Sequence, residues 1–531
     1  MIQTYNTSIL YLLCSKPVLH SVYLAKEKKG DRWKWAKLLG QLAGALVLKK
    51  GIEFIRKEGA RTYLGLILIW ATPFLWVLWS LAYQFLLSLP LSSTLFPIVL
   101  PTVYLWVVDT LALQRGTWVI ESGTKTGWTL WPGLEIEEAI FFLLTNALIV
   151  FGLVAFDNAV AVLNAFPSHF KTTPSLPSPI LLVKALLLPA AAYDDDRVLA
   201  IKQSVSRLKR KSRSFYLASS VFQGRLRIDL TLLYSFCRIA DDLIDNAGTA
   251  AEAKEWLVKL RKLVDLSYTG DVKREDGQVI PAKDRNQGQA TLYAVNNFPE
   301  DAILTLMMLP TSRLGREPLD ELLKGFEMDL AFNSANATGP IKSEADLDLY
   351  GARVAGTVAL LCIQLVLFHY PGTSEVKAKR LMEAGNNMGI ALQYTNIARD
   401  LSVDAVNGRC YVPLPWLKRD KLLPETFLVA LTKAHNSGAL DEFLVKKISD
   451  IRVRLLEKAY EFYDKGVDAI EELPREARAP MRVAVESYMQ IARELEKPGL
   501  VLQGLGGRAT VPKWKRITVA WRALLGPRAK R

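Results

Sequence analysis

The segment Tyr234-Ser-Phe-Cys-Arg238-Ile-Ala-Asp241-Asp242-Leu-Ile-Asp245 is the densest concentration of reactive side chains in the chain. Read as a helix, it sets Asp241 and Asp245 four residues apart on one face, with Arg238 one turn before Asp241. A second segment, Gln393-Tyr-Thr-Asn396-Ile-Ala-Arg399-Asp400-Leu-Ser-Val-Asp404, steps Asn396, Asp400 and Asp404 along another apolar-rich helix. Two facing carboxylate rows repel unless cations lie between them. Hard oxygen donors with an incomplete shell suit Mg²⁺ that also binds substrate phosphates, so the implied substrate is a diphosphate. The plainer reading is two solvated helix faces in which Arg238 and Arg399 are ion-pair partners. A third acidic set, Asp109, Glu137 and Glu138, lies at the edges of apolar runs, where carboxylates are costly and hence candidates for function. Adjacent burial and mutual repulsion favour keeping one of Glu137 and Glu138 neutral, an acid able to donate a proton. Its plainer reading is a pair of interfacial acids at the start of a transmembrane helix.

The elements that must position these groups divide the chain in two. Thr62 to Val108 contains no charged residue, which is long enough for two crossings with a turn at Leu89 to Ser93. Ala139 to Phe170, with Asp157 as its only charge, makes a third. Residues 2–24 are a fourth candidate, Pro179 to Tyr193 a short fifth, and Leu38 to Lys50 is shorter still. Lys26 to Arg61 carries eleven Lys or Arg and reads as a cytosolic loop at the bilayer interface, with Trp33 and Trp35 inside it. Residues 114–138 should share that side, and a cytosolic C-terminal half then requires Pro179 to Tyr193 to cross or dip back. The first positive charge is only at Lys16, so no cleavable signal is expected.

From about residue 195 the sequence turns to amphipathic stretches rich in Leu, Ala, Lys and Glu, an all-α soluble domain. The expected boundaries are 1–195 for the membrane domain, 196–505 for the helical domain and 506–531 for a basic tail. Residues 267–290 read as a loop or disordered insertion. The tail has eight basic and no acidic residues from Arg508 on, with Trp514 and Trp521, and either lies on an anionic membrane or is solvated.

The whole chain has 531 residues and a formal charge of +14, with half its residues hydrophobic, which excludes a disordered protein. Its four cysteines, Cys14, Cys237, Cys362 and Cys410, form no short-range pair, so neither a disulfide framework nor a zinc or redox site is expected and the compartment reads as reducing. The four histidines are scattered and no HExxH occurs, which argues against a zinc hydrolase. No P-loop is present, and Gly504 to Gly507 follows no strand, so no nucleotide or flavin site is expected.

Ser212-Arg213-Ser214-Phe215-Tyr216, the two aspartate segments, Tyr350 with Val354-Ala-Gly-Thr357, and Gly408-Arg409-Cys-Tyr411-Val-Pro413 together resemble the squalene and phytoene synthase family over residues 200–500. The resemblance implies an all-α terpenoid-synthase fold. It also implies a prenyltransferase that joins two geranylgeranyl diphosphates through prephytoene diphosphate to 15-cis-phytoene. By position, Asp241, Asp245, Asn396, Asp400 and Asp404 would hold Mg²⁺, with Mn²⁺ as a substitute. Arg213, Arg238, Arg399 and Arg409 would steady diphosphate beside Ser212, Ser214 and Phe215, and Tyr234, Gln393 and Tyr350 would line the reacting centre. Such chemistry needs charge neutralisation of the leaving group and a dry apolar tunnel, for which Phe215, Phe236, Val354 and Leu392 are candidate walls. Ala359 stands where many relatives have Gly.

The first half resembles integral-membrane lycopene cyclases, and the fusion resembles the fungal bifunctional lycopene cyclase/phytoene synthase. The implied reaction is an isomerisation, the proton-started closure of lycopene ends to β-rings, giving γ- and β-carotene. Protonated Glu137 or Glu138 would be the acid and Asp109 a cation stabiliser or base. The lipid bilayer and a phytoene desaturase are the implied partners, with no nucleic acid. Met1-Ile-Gln-Thr4-Tyr5 lays over Phe142-Leu-Leu-Thr145-Asn146, so the chain is expected to start after the first of two related cyclase repeats, with weak or absent cyclisation. The alternatives are a squalene or dehydrosqualene synthase, the former needing NADPH, and a non-catalytic assembly factor of the same fold.

Overall fold

The computed structural model describes residues 31–118, 123–270, 272–273, 279–280, 287–332, 339–437, 442–497 and 510–527. The candidate span at 2–24, the alignment of Met1 to Tyr5 and the Gly504 to Gly507 stretch lie outside the described residues. The chain divides into two compact units, Met1–Lys202 and Gln203–Arg531, with the division falling inside the helix Asp195–Lys211.

In the first unit, three helices are long and apolar enough to cross a bilayer: Thr62–Ser88, Leu91–Gln114 and Ile136–Ala165. They follow from the charge-free runs, because a helix satisfies every backbone polar group internally and leaves only side chains to meet lipid. Their outward positions carry Leu66, Trp70, Phe74, Phe96, Leu100 and Tyr104, all exposed, a surface that water would not tolerate. The turn between the first two is tighter than Leu89 to Ser93, since Pro90 fixes the N-cap and the helix resumes at Leu91.

Two expectations are corrected here. Lys26 to Arg61 is not a loop: residues Asp31–Arg56 form a 26-residue helix. Gly40, Gly44 and Gly51 fall on one face of it, and a Cβ there would meet Trp79, Trp76 and the Gly65 carbonyl respectively. Small residues thus let the helix lie close against Thr62–Ser88, a packing device typical of membrane helices. Trp35, Leu38, Leu42 and Leu46 are left exposed on the opposite face. The apolar stretch Leu38 to Lys50 is the middle of this helix, whose basic ends continue it in both directions. Pro179 to Tyr193 is likewise no span: its helix is Pro179–Leu186, eight residues, about 12 Å at 1.5 Å per residue. Between the spans, Thr129–Trp131 and Leu134–Glu135 pair as a small antiparallel ribbon leading into Ile136–Ala165.

Among its described residues the second unit is helical apart from one short ribbon, Val272–Lys273 with Val279–Ile280. Of the expected loop or insertion at 267–290, this ribbon and the start of the helix Gln287–Asn297 are described, and residues 271, 274–278 and 281–286 lie outside the described residues. The 32-residue helix Glu375–Val406 runs through the core, with Ala391 and Ala398 fully buried. Beside it lies Glu344–His369, apolar and long enough to span a membrane by composition. Its Leu361, Leu365 and Val366 are nevertheless fully buried in the core of this unit, which makes it a core element.

This element is broken by a π-helical turn at Ala352–Gly356, the position of Val354-Ala-Gly-Thr357. Such turns mark local strain and often functional sites. The turn is accommodated by glycines: a Cβ on Gly389 would fall 2.5 Å from the Ala355 carbonyl oxygen and 2.6 Å from the Gly356 Cα. Since backbone cannot swing aside, Gly389→Ala should destabilise this unit by about 1–3 kcal/mol or more. A lowered unfolding transition of the solubilised chain checks this, and an unshifted one would show that the two helices have room to part.

Within the expected 506–531 tail, the described residues are not free. Lys513–Leu525 is a helix docked on Arg475–Leu495, with Ala520 and Ala523 buried against Ala218 and Val483.

Candidate functional site

The helix Gly224–Asp245 buries Leu226, Leu233, Phe236, Ala240 and Ile244 in the core. Its other face presents Tyr234, Arg238, Asp241 and Asp245, the arrangement that the spacing predicts. Arg238 pairs with Asp241 at 3.0 Å and with Asp242 at 2.5 Å, and Lys211 also reaches Asp242 at 3.2 Å. Asp245 accepts from Arg409 Nη2 at 2.8 Å. Arg409 reaches it because Glu375–Val406 ends in a reversal at Gly408, whose φ of +72° is a conformation glycine adopts without strain.

A third carboxylate joins them that the sequence reading did not single out. Asp329, the last residue of the helix Arg316–Asp329, is buried and accepts from Tyr411 OH at 2.7 Å and Tyr350 OH at 3.2 Å. The two rings stack with centroids 5.0 Å apart. Burial pushes the Asp329 carboxyl up to about 6, with Asp245 adding to the rise and Arg409 and the Tyr411 hydroxyl opposing it. Asp241 keeps 31% of its side-chain surface open, yet burial and then the Asp245 charge push it up to about 7 against the pull of Arg238, with Asp329 adding further. Asp241, Asp245 and Asp329 therefore act on one another as a strained acidic group. A legible signal existed: Leu319, Leu322, Phe326 and Asp329 share one apolar helical stripe, and a carboxylate on such a stripe is conspicuous.

The second segment is reached through aromatic groups. Tyr234 meets the Phe215 ring edge-on at 6.1 Å, and Phe215 stacks on Tyr488 at 5.3 Å. Tyr488, also unanticipated, donates to Asn396 Oδ1 at 2.5 Å. Ser212 caps the helix Arg213–Ser219 through the Phe215 N–H and also hydrogen-bonds Tyr234, whose hydroxyl burial pushes up to about 12. Arg399 holds Asp400 with two bonds of 2.7 Å; burial alone would lower its pKa, but Asp400 and Tyr488 outweigh that and hold it charged. Asp404 lies within electrostatic reach of Tyr411, which ties this segment to Asp329. Gln393 makes only a 3.5 Å contact with Asn396, and Ser214 is buried under the short helix. Arg213 lies close enough to Arg516 for their charges to repel. Phe236 is wholly core, whereas Phe215, Val354 and Leu392 are partly buried beside it.

The ion pairs foreseen in the plainer reading are thus present, but the helix faces are not simply solvated. No three His, Cys, Asp or Glu side chains among the described residues form a ready cage for a metal ion. The donor set instead fits Mg²⁺, which binds through one or two carboxylates and completes its shell with phosphate oxygens and water. The mutual repulsion within Asp241, Asp245 and Asp329 is what such a cation would relieve.

In the first unit Asp109, from the helix Leu91–Gln114, converges with Glu137 and Glu138 of the helix Ile136–Ala165. Glu137 is fully buried and accepts from the Thr126 N–H at 2.6 Å and its hydroxyl at 2.8 Å. Glu138, 8% exposed, accepts from Tyr63 OH. Asp109, 1% exposed, accepts from Trp118 Nε1 at 3.1 Å and lies within electrostatic reach of Glu138. None is a solvated helix cap. Nearby, Asn146 is fully buried and donates to Thr102 Oγ1 at 3.0 Å.

Comparison with known proteins gives three findings. The squalene/phytoene synthase family model matches residues 208–515. The chain is 52% identical over 529 residues, 99% of its length and 86% of the relative, to a bifunctional lycopene cyclase/phytoene synthase of Leptosphaeria maculans; a Neurospora crassa protein of the same name is 44% identical, with 99% and 86% covered. A solved dehydrosqualene synthase in complex with a ligand overlaps 61% of this chain and 95% of its own, at 20% identity and a TM-score of 0.43.

Proposed function

This chain belongs to the bifunctional lycopene cyclase/phytoene synthase family, and from that premise we propose that its second unit condenses two geranylgeranyl diphosphates head to head, through prephytoene diphosphate, to 15-cis-phytoene. The observation that carries this reading is the convergence of Asp241, Asp245 and Asp329 with Arg238 and Arg409 beside a wall of aromatic rings. The family is divalent-metal dependent, and we assign Mg²⁺ to Asp241, Asp245 and Asp329 on one side and Asn396, Asp400 and Asp404 on the other. Bound there, the metal supplies neutralisation of the departing diphosphate's charge.

The remaining work falls to the protein. Arg238, Arg409 and Lys211 spend their charge on carboxylates in the free protein and exchange those partners for diphosphate oxygens when substrate enters. Arg399, held charged beside Asp400, adds a further guanidinium to the second segment. Phe215, Tyr234 and Tyr488 present ring faces and edges that shelter an allylic cation from water and stabilise it electrostatically. Tyr350 and Tyr411 position the Asp329 carboxylate.

The experiment is product analysis in a host that supplies geranylgeranyl diphosphate and a phytoene desaturase. Lycopene or its cyclised products should accumulate with the unaltered chain and vanish with Asp241→Asn. In lysed membranes, chelation by EDTA should stop phytoene formation and added Mg²⁺ restore it. Squalene formed only with NADPH would replace this reading by the squalene synthase one, and turnover that survives EDTA would remove the metal.

A second reading applies to the first unit, favoured by three buried carboxylates with specific donors: Glu138 gives the proton that starts closure of a lycopene end, with Asp109 and Glu137 facing the resulting cation. The unit is membrane-associated, and we further propose a multi-pass topology with the second unit on the cytosolic side. Pro179–Leu186 is too short to cross, so the three apolar helices put the second unit on the side opposite residues 57–61.

A further inference from the structure

We propose that the outer face of the C-terminal helix Lys513–Leu525 is a docking surface by which the second unit lies on an anionic lipid bilayer. The helix has its apolar residues arranged in reverse. Small residues, Ala520 and Ala523, fill the inner face against Ala218 and Val483. The large ones, Trp514, Ile517, Trp521, Leu524 and Leu525, are exposed at 64%, 52%, 63%, 37% and 75%. At 100° per residue these five fall within about 100° of arc, whose centre lies about 120° from that of the buried alanines. A helix kept in place only by its own unit would turn that stripe inward.

The inner face is firmly fixed, so the stripe is not free to roll under. Arg482 Nε donates to the Ala523 carbonyl at 2.8 Å, and Lys515 pairs with Glu494 at 3.0 Å. Lys513 and Arg522 flank the stripe on its two sides, both exposed, and no acidic residue occurs from Arg508 to the end of the sequence. This combination selects the occupant. An apolar stripe with tryptophans, bordered by basic residues and free of acids, matches the boundary between acyl chains and anionic headgroups. A protein partner would present counter-charges of its own, and nothing acidic on this helix answers a second copy of it.

The surface is distinct from the carboxylate site, and its role would be to hold the synthase unit against the phase into which its water-insoluble product must pass. That role rests on the proposed synthase reading; the docking itself does not.

The test uses the full chain reconstituted into vesicles of phosphatidylcholine with 30% phosphatidylserine, carrying Leu525→Cys labelled with a polarity-sensitive fluorophore. The same labelling of the unsubstituted chain subtracts the four native thiols. Blue-shifted emission, quenched by spin-labelled lipid, is expected, with quenching reduced in pure phosphatidylcholine or when Trp514→Ala and Trp521→Ala are combined. Removing one flanking charge, Lys513→Gln or Arg522→Gln, should weaken the docked fraction about fivefold each. Because the spans anchor the protein regardless, only this local signal reports the helix. Water-like emission without quenching would overturn the proposal. A blue shift without lipid quenching would also overturn it, identifying protein as the cover instead, and phytoene synthesis lost alongside intact quenching would refute the synthase reading while leaving the docking standing.

Discussion

Asp329→Asn should lower phytoene formation by at least about 100-fold, the cost typical of removing one preorganised electrostatic group from an active site. The substitution keeps the shape and leaves one oxygen to accept from Tyr411, while the new amide N–H can donate to the Tyr350 hydroxyl, so packing around the buried side chain survives. What disappears is one of three negative charges that burial and proximity hold in tension with Asp241 and Asp245. The concentration of Mg²⁺ needed for half-maximal rate should rise along with the loss of rate, while the thermal transition stays in place. Initial rates over a Mg²⁺ titration make the measurement. An unchanged Mg²⁺ requirement with normal turnover would place Asp329 outside the machinery and reduce it to a buried anchor for two tyrosines. Tyr411→Phe, which removes a donor and not the charge, should cost less.

The second large effect belongs to the membrane unit. Whatever cyclised carotenoid the chain forms should fall by about 10² to 10⁴ in Glu138→Gln, because an amide cannot supply the proton that a carboxylic acid can. Phytoene and lycopene should persist, since the two units have separate cores. Tyr63→Phe tests the orientation of the acid: Tyr63 donates to Glu138, and without that bond the carboxyl loses its aim but keeps its proton, so a partial loss is expected. Pigment chromatography of the variants side by side reads both. Cyclised product undiminished in Glu138→Gln would move the acid to Glu137 or Asp109, whose donors are Thr126 and Trp118.

Local periodicity made much of this legible. The spans could be read because a charge-free run long enough for a bilayer has few other uses, and the two aspartate rows because four residues is nearly one helical turn. Asp31–Arg56 was misread because its decisive signal, glycines on one face, has meaning only when a partner helix is known to press against it. The docking of the C-terminal helix on its own unit was not legible for a related reason: its inner face is alanine, which carries little hydrophobic signal.

The amino-acid order by itself determined that the chain is half membrane and half helical domain, and which residues share a helix face, because those properties depend on neighbours within a few positions. Only the tertiary structure decided which faces meet. Asp329 joins the site through Tyr411, 82 residues away; Arg409 reaches Asp245 across 164 residues; and Tyr488 finds Asn396 across 92. No spacing rule operates over such distances, since the contacts are set by how whole helices pack and by the turns, such as that at Gly408, that redirect the chain between them.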